Sequence, residues 1–388
     1  DEMSSRGLGD VYKRQMNNIL EINAEEGWAR VQSGVVKDQL NAAIKPYGLF
    51  FAPELSTSNR ATIGGMINTD ASGQGSCRYG KTRDHVLELT TVLLDGHVLG
   101  SRAISDEEFA ANCDEQNISG LAHRLIDNIE KEHGELSKEK FPPLNRCLTG
   151  YDLAHIRDDE GRFNLNNILC GSEGTLGFIA EAKINLLKIP NYSALVIVNY
   201  DSFDSSLRDA PRLMKAGPTS IETIDSRVLE LAMNDIVWHE VKEFFPSDGV
   251  EDIKGMNLVE YTAETKEELS AGLTQLIDVL KSTDAATGCV GHGLAMGDSA
   301  VKKIWGMRKK AVGLLGNAEG EARPIPFVED TAVPPENLAD FIFEFRELLD
   351  SHNLAYGMFG HVDAGVLHVR PAIDIKDPEQ EKLIRGIT

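Results

Sequence analysis

The sequence predicts an α+β protein of two domains, and three observations carry that expectation. Its 388 residues are two domains' worth of chain at roughly 100 to 200 residues each. Segments with strand alternation are interleaved with polar helical stretches in irregular order, with no repeat of about 20 to 50 residues that would suggest a solenoid or propeller. A fresh alternation of strand, helix and strand starts at Pro190-Asn191, so the expected domains are 16–189 and 191–388.

The elements follow in order. Asp1 to Gln15 show neither helical nor strand periodicity; they look like a translated adapter scar and are set aside. Asn17 to Ile22 and Trp28 to Val31 read as strands around a turn at Asn23 to Gly27, and Val36 to Lys45 as a helix stopped by Pro46 and Gly48. Val86 to Leu94, Asp95-Gly96 and His97 to Leu99 form a hairpin signal, since Asp-Gly suits the two positive φ values of a type I′ turn. Residues 104–140 read as polar and helical, including Ile118 to Glu132, and Gly177 to Leu187 as an alternating strand closing at Pro190. In the second half, Ser193 to Tyr200, Ser220 to Thr223, Asn257 to Tyr261 and Pro326 to Val328 read as strands. Asp204 to Lys215, Lys266 to Ser282 and Pro335 to Ser351 read as helices, and Tyr356 to His361 with Val366 to Val369 as a hairpin.

Composition excludes several functions. With 39 Lys+Arg against 61 Asp+Glu the net charge is −22, which repels phosphate backbones and anionic membrane surfaces, so no nucleic-acid partner is expected. The longest apolar stretches, such as Leu195 to Val198, fall far short of the roughly 20 residues of a spanning helix. The five cysteines form no C-x-x-C pair, so neither a disulfide framework nor a metal cluster is built from them. A soluble, cytoplasmic protein is the expectation.

Two glycine-rich segments carry the first functional signals. Gly75-Ser-Cys-Arg-Tyr-Gly-Lys-Thr82 satisfies the phosphate-loop pattern. That motif needs an apolar strand before it and a helix after it, to aim backbone amides at the phosphates; neither flank fits, so a nucleotide triphosphatase stands only as the alternative reading. Around the same loop lie Pro53, Thr62-Ile-Gly-Gly65, Thr69 to Gly73, Tyr79-Gly80 and Asp95-Gly96, and about a hundred residues on comes Gly171-Ser-Glu-Gly-Thr-Leu-Gly177. Paired glycines and small residues let a backbone approach a flat, phosphate-bearing ligand.

The second half carries candidate chemistry. His361-Val-Asp-Ala-Gly-Val-Leu-His368 joins two apolar strands. A two-residue turn at Ala364-Gly365 would pair 361 with 368 and project both imidazoles from one face, as two ligands of one metal ion require. Arg308 follows Trp305-Gly-Met on a stretch that also carries Lys302, Lys303, Lys309 and Lys310, and Arg370 directly follows the hairpin.

Taken together, Pro53 with T-I-G-G, Y-G-K-T-x-D and G-S-E-G-T-L-G resemble the FAD-binding domain of the vanillyl-alcohol oxidase flavoproteins, and within them the D-2-hydroxy-acid dehydrogenases. The phrase M-I-N-T-D-A-S-G-Q-G looks most like the bacterial FAD and iron-sulfur D-2-hydroxyglutarate type. The resemblance implies a PCMH-type FAD-binding domain, incomplete at its N-terminus where the pyrophosphate loop would lie, followed by a ferredoxin-like antiparallel-sheet cap domain. It implies that Pro53, Thr62, Gly64, Gly65, Thr69, Ser72 and Gly73 line the FAD, and that Glu173, Gly177 and Ile179 contact its far side. Asp70 and Ser72 stand where relatives often carry Asn and Gly, and Val366 where they commonly have Asn.

The resemblance also implies that Arg308 clamps a substrate carboxylate, with Arg370 as a second candidate. His361 and His368, with a Glu from a segment beyond residue 388, would hold a divalent metal such as Zn or Mn, and Phe327 to Pro334 resembles the strand and turn on the flavin's substrate side. An iron-sulfur cluster would belong to a further C-terminal region. The implied reaction is oxidation of a small D-2-hydroxy acid, D-2-hydroxyglutarate or D-lactate, to the 2-oxo acid by hydride transfer to FAD, with a non-catalytic flavoprotein fragment as the bland alternative. Electron acceptor and homo-oligomeric state are not readable from these residues.

Overall fold

The computed structural model describes residues 15–146, 150–245, 252–282, 287–317 and 321–388; the reading of Asp1 to Gln15 as a scar lies, but for Gln15, outside them. The chain divides between Ile189 and Pro190 into two compact units.

The first unit is built on an antiparallel six-stranded sheet. Its strands are β1 (Ile19–Asn23), β2 (Trp28–Gln32), β4 (Val86–Val92), β5 (Val98–Ile104), β6 (Phe163–Asn164) and β7 (Phe178–Asn185), in the order β1-β2-β7-β4-β5-β6; β3 (Leu49–Phe50) and β8 (Leu187–Lys188) pair separately. Strand alternation sends Ala29, Val31, Leu89, Ala182 and Ile184 into one core, which Ile179 joins across a bulge in β7, while Arg30, Glu88 and Lys183 meet on the other face. Helices cover the core, with Phe109, Ile168 and Leu169 from Asp106–Asp114 and Asn166–Leu169 among the residues they bury. Helix α1 (Lys37–Ile44) buries Leu40 and Ile44 and is stopped by Gly48 at φ 72°. Helix α2 (Ile63–Asn68) is capped by Thr62, whose Oγ1 accepts from the Gly65 amide at 3.2 Å. Helix α3 (Ile118–Lys140) is capped by Asn117.

The second unit is a three-layer arrangement around an antiparallel sheet. Its strands are β9 (Tyr192–Tyr200), β10 (Ser220–Asp225), β11 (Gly255–Ala263), β12 (Cys289–Met296), β13 (Arg323–Pro324), β14 (Thr331–Ala332), β15 (Tyr356–His361) and β16 (Val366–Ile373). The order is β12-β9-β11-β10-β15-β16-β13, with β14 also on β16. Helices α4 (Phe203–Met214), α6 (Lys266–Lys281) and α8 (Leu338–Ser351) cover one face, and α5 (Ser226–Met233) and α7 (Gly297–Leu314) the other. Because both faces are covered, β9 and β10 are buried along almost their whole length, and β9 reads as a continuous apolar run.

Three local expectations are corrected. Pro326 to Val328 is not a strand; the strands there are Arg323–Pro324 and Thr331–Ala332, because Pro326 has no amide to donate to a ladder and the Phe327 amide turns back to the Ile325 carbonyl at 3.1 Å. The Asp95-Gly96 turn is not type I′, since Gly96 has φ 85° but Asp95 does not have positive φ; the Asp95 carboxylate instead accepts from the His97 amide at 3.0 Å. The turn between β15 and β16 holds four residues rather than two, with a 3₁₀ turn at Val362–Ala364 closed by Gly365 at φ 68°. A Cβ on Gly365 would lie 1.8 Å from the Val333 carbonyl oxygen, so the position is closed to side chains twice over.

Candidate active site

In the first unit the two glycine-rich segments, a hundred residues apart in sequence, are hydrogen-bonded together. The amides of Gly171 and Glu173 donate to the carbonyls of Ile67 and Asn68 at the end of α2, at 2.9 and 2.8 Å, while those of Ile63 and Gly64 at its start donate to Val35 and Ser33, both at 2.8 Å.

The glycines have different reasons. A Cβ on Gly64 would lie 2.6 Å from Ser33 Cβ, one on Gly73 2.1 Å from the Glu54 carbonyl oxygen, and one on Gly177 2.7 Å from Thr91 Cγ2. These three are demanded by the protein's own packing, where the sequence suggested close approach to a ligand. Gly65 is different: apart from its own capping Thr62 Oγ1 at 3.1 Å, nothing stands where its side chain would go. Thr69 spends its hydroxyl on the Gly65 carbonyl at 3.1 Å, Glu173 is exposed at φ 53°, Ser72 is half-buried, and Pro53 and Ile179 are buried, Ile179 in the core. Sequence reasoning missed Ser33 and Asn68: beside Gly64, Ser33 Oγ and Asn68 Oδ1 are buried without a protein hydrogen-bond partner, which fits a polar, amide-lined ligand cradle.

The phosphate-loop alternative is overturned. Lys81 is buried and its ammonium lies 2.8 Å from Asp70, itself 1% exposed. Thr82 Oγ1 donates to the Ala71 carbonyl at 2.6 Å, and the chain proceeds through a 3₁₀ turn into β4, with no helix after the loop. Both side chains that would meet phosphate and its cation are spent inside the protein.

In the second unit, one face of the sheet gathers the predicted residues. His361 pairs with Val366 and His368 with Phe359, so the histidines are diagonal neighbours rather than facing partners. The register differs from the expected one by two residues. A slip of two preserves the face where a slip of one would reverse it, and the ring Nε2 atoms meet at 3.4 Å. Beside His361 in the sheet stands Glu222 of β10, which sequence reasoning missed, although a carboxylate inside the buried run Ser220–Asp225 is itself a signal. One oxygen of Glu222 accepts from His361 Nδ1, and the other from Arg308 Nη2 on α7. Arg370 on β16 is engaged by Glu329, and Asp330, at φ 61°, lies 3.1 Å from His368 Nδ1. The guanidinium carbons of Arg308 and Arg370 each lie 5.4 Å from the centre of the Phe359 ring, a cation–π arrangement on one ring.

The structure therefore brings Arg308, His361, His368 and Arg370 together. Among the described residues, no group of three or more His, Cys, Asp and Glu is arranged to hold a metal ion. The histidine pair alone has the right shape for half of a site: two ligands, each about 2.1 Å from a tetrahedral ion, stand about 3.4 Å apart, and a carboxylate on the other nitrogen of one ring is the usual support of a metal-bound imidazole.

Among solved structures, an alkyldihydroxyacetonephosphate synthase matches 96% of this chain and 63% of its own at TM-score 0.60 and 18% identity, and substrate-bound p-cresol methylhydroxylase matches 96% and 67% at TM-score 0.60 and 12% identity. Residues 189–387 match the C-terminal domain of FAD-linked oxidases and residues 10–101 an FAD-binding domain. The chain belongs to the FAD-linked oxidases. It is 61% identical over 382 residues to a D-2-hydroxyglutarate dehydrogenase of Pseudomonas putida, covering 98% of this chain, and 53% identical over 390 residues to one of Escherichia coli, covering 99%. The chain spans 38% of the length of each. No helix among the described residues is long and apolar enough to cross a membrane.

Proposed function

We propose that this chain carries the FAD-binding and substrate-holding parts of an enzyme that oxidises a D-2-hydroxy acid, of the hydroxyglutarate type, to its 2-oxo acid. The observation that carries the reading is the meeting of His361 and His368 at 3.4 Å on the sheet face where Glu222 holds Arg308. The chemistry such groups would supply is a hydride acceptor for C2, from FAD, and Lewis acidity at the substrate hydroxyl, from a divalent ion such as Zn or Mn. Ser33, Asn68, Gly65 and the Gly171–Gly177 loop would hold the flavin; His361 and His368 would hold the ion as part of its ligand set.

Arg308 is the group for the substrate's C1 carboxylate. Its Nε is buried without an acceptor, so one edge of the fork remains for a carboxylate while Glu222 takes the other. Holding the ion would spend the Nε2 lone pair of each ring, so the part of the pair is to place the C2 hydroxyl; the proton released as the hydride leaves passes to a base outside the pair or to water. Arg370, on the same face and 31% exposed, suits a second carboxylate. That second cation favours a dicarboxylic hydroxy acid over lactate.

The test is the visible spectrum of the purified protein reconstituted with FAD and mixed anaerobically with D-2-hydroxyglutarate, L-2-hydroxyglutarate or D-lactate. Bleaching of the flavin band by D-2-hydroxyglutarate is the expected result. A flavin that binds and is reduced by none of the three overturns the reading.

A further inference from the structure

We infer that Glu222 is the positioning residue of this site: one buried carboxylate that fixes both the tautomer of His361 and its distance from Arg308. Its catalytic consequence rests on the function proposed above; its structural core does not. Glu222 is 1% exposed and sits mid-sheet between β11 and β15. A carboxylate there loses its hydration and is tolerated only when paired and hydrogen-bonded. Its two oxygens are divided between two elements far apart in sequence, Oε1 to His361 Nδ1 on β15 and Oε2 to Arg308 Nη2 on α7.

Two consequences follow from that division. A neutral imidazole that donates through Nδ1–H must present a lone pair at Nε2, the atom that faces His368. The tautomer needed for binding a cation is thus set by Glu222. Further, a 2-hydroxy acid carries its carboxylate and its hydroxyl on adjacent carbons, so the groups that receive them must be held close and at fixed spacing. A single carboxylate bonded to both fixes that spacing, and Phe359, packed under Arg308, keeps the guanidinium plane in place.

Glu222→Gln separates positioning from mere filling of space. The amide has one acceptor, which the charged Arg308 keeps; its NH₂ then faces His361 Nδ1, and two donors cannot pair, so the ring must move its proton to Nε2. Glu222→Asp keeps two acceptors on a shorter arm, so it holds the tautomer but stretches the span. The measurement is long-range ¹⁵N–¹H correlation of histidine-labelled protein at about pH 8.5, above the ordinary imidazole range, with Zn²⁺ titrated alone as a second readout. Expected are Nδ1–H for His361 in the parent protein and in Glu222→Asp, Nε2–H in Glu222→Gln, and Zn²⁺ affinity about 10 to 100-fold weaker in Glu222→Gln.

An unchanged tautomer with Zn²⁺ affinity within about twofold overturns the inference. If Glu222→Gln fails to fold, Glu222→Asp decides: the kept tautomer with KM raised about tenfold or more supports it, and an unchanged KM sinks it. Should no hydroxy acid reduce the flavin of the parent protein, the proposed function fails while the tautomer and Zn²⁺ readouts still decide the role of Glu222.

Discussion

His361 and His368 meet through Nε2 at 3.4 Å although neither is opposite the other in the hairpin. The contact is diagonal, reached because His361 pairs with Val366 and His368 with Phe359. Removing either ring therefore removes half of a matched pair without touching the ladder hydrogen bonds. His361→Ala and His368→Ala should each lower kcat/KM for D-2-hydroxyglutarate by about 10² or more, with the flavin absorbance of the unreacted protein unchanged. Steady-state kinetics beside a flavin content measurement checks this; full activity in either variant removes the pair from the mechanism.

The two arginines should separate by substrate. Arg308→Lys replaces a fork by a point charge at the C1 carboxylate, so KM should rise about tenfold or more for every 2-hydroxy acid tested. Arg370→Lys should raise KM for D-2-hydroxyglutarate and leave D-lactate nearly unaffected, because lactate has no second carboxylate. Equal effects of Arg370→Lys on both substrates would place Arg370 at C1 instead.

Lys81 tests the phosphate-loop pattern directly. Lys81→Ala leaves Asp70 buried without its ammonium, and breaking a buried pair costs about 3 to 5 kcal/mol, so the expected phenotype is a lower Tm. Calorimetry with and without Mg-ATP distinguishes the cases: the parent protein should show no ATP-dependent rise in Tm.

This motif also shows where sequence reading reached its limit. Gly75 to Thr82 matched a pattern by letters, and only the absent flanking strand and helix argued against it; that Lys81 turns inward to Asp70 is a tertiary fact. The strand alternation of β2, β7 and β9 was legible because burial follows a two-residue period or a continuous run. Strand β12 was not, because Gly291 and Gly293 break its apolar pattern. At the site, His361 and His368 stood out by type and spacing, and Arg308 by the resemblance of Trp305-Gly-Met-Arg308 to a family pattern. Glu222 did not, since its partners lie 86 and 139 residues away, a juxtaposition that only the sheet order creates.

Asp225 gives the fold a pH dependence of its own. It caps α5, accepting from the Val228 amide at 2.9 Å and the Met358 amide at 2.8 Å, and burial pushes its carboxyl up to about 6. A carboxyl whose folded-state pKa lies above its unfolded value binds protons more tightly when folded, so stability falls as pH rises from about 4 to about 6 and then levels. Asp225→Asn should flatten that slope and, by leaving the Met358 amide facing an NH₂, cost about 1 to 2 kcal/mol at pH 8. Urea unfolding at pH 4.5, 6 and 8 reads both; an undiminished slope in the variant assigns the dependence elsewhere.

Gly64 and Gly65 are neighbours in one motif with opposite roles, and alanine at each should tell packing from ligand binding. At Gly64 the new methyl would lie 2.6 Å from Ser33 Cβ and 3.1 Å from the Ser33 carbonyl oxygen. Neither can retreat, because Ser33 is tied to the Gly64 amide and, through its own amide, to the Ala180 carbonyl. Gly64→Ala should therefore lower Tm by several degrees, the scale of an overpacked core, and lose FAD only as a result of that damage. At Gly65 the methyl meets only Thr62 Oγ1 at 3.1 Å, and the residue lies inside α2, where alanine favours the helix by about 0.5 to 1 kcal/mol over glycine. Gly65→Ala should hold or raise the Tm of the FAD-free protein while weakening FAD binding by about tenfold or more, if flavin approaches the backbone there. Differential scanning calorimetry and FAD titration by fluorescence quenching report the two quantities separately. A Gly65→Ala protein that binds FAD as tightly as the parent would show that the open space beside α2 belongs to solvent, and that the motif's second glycine serves the turn into the helix alone.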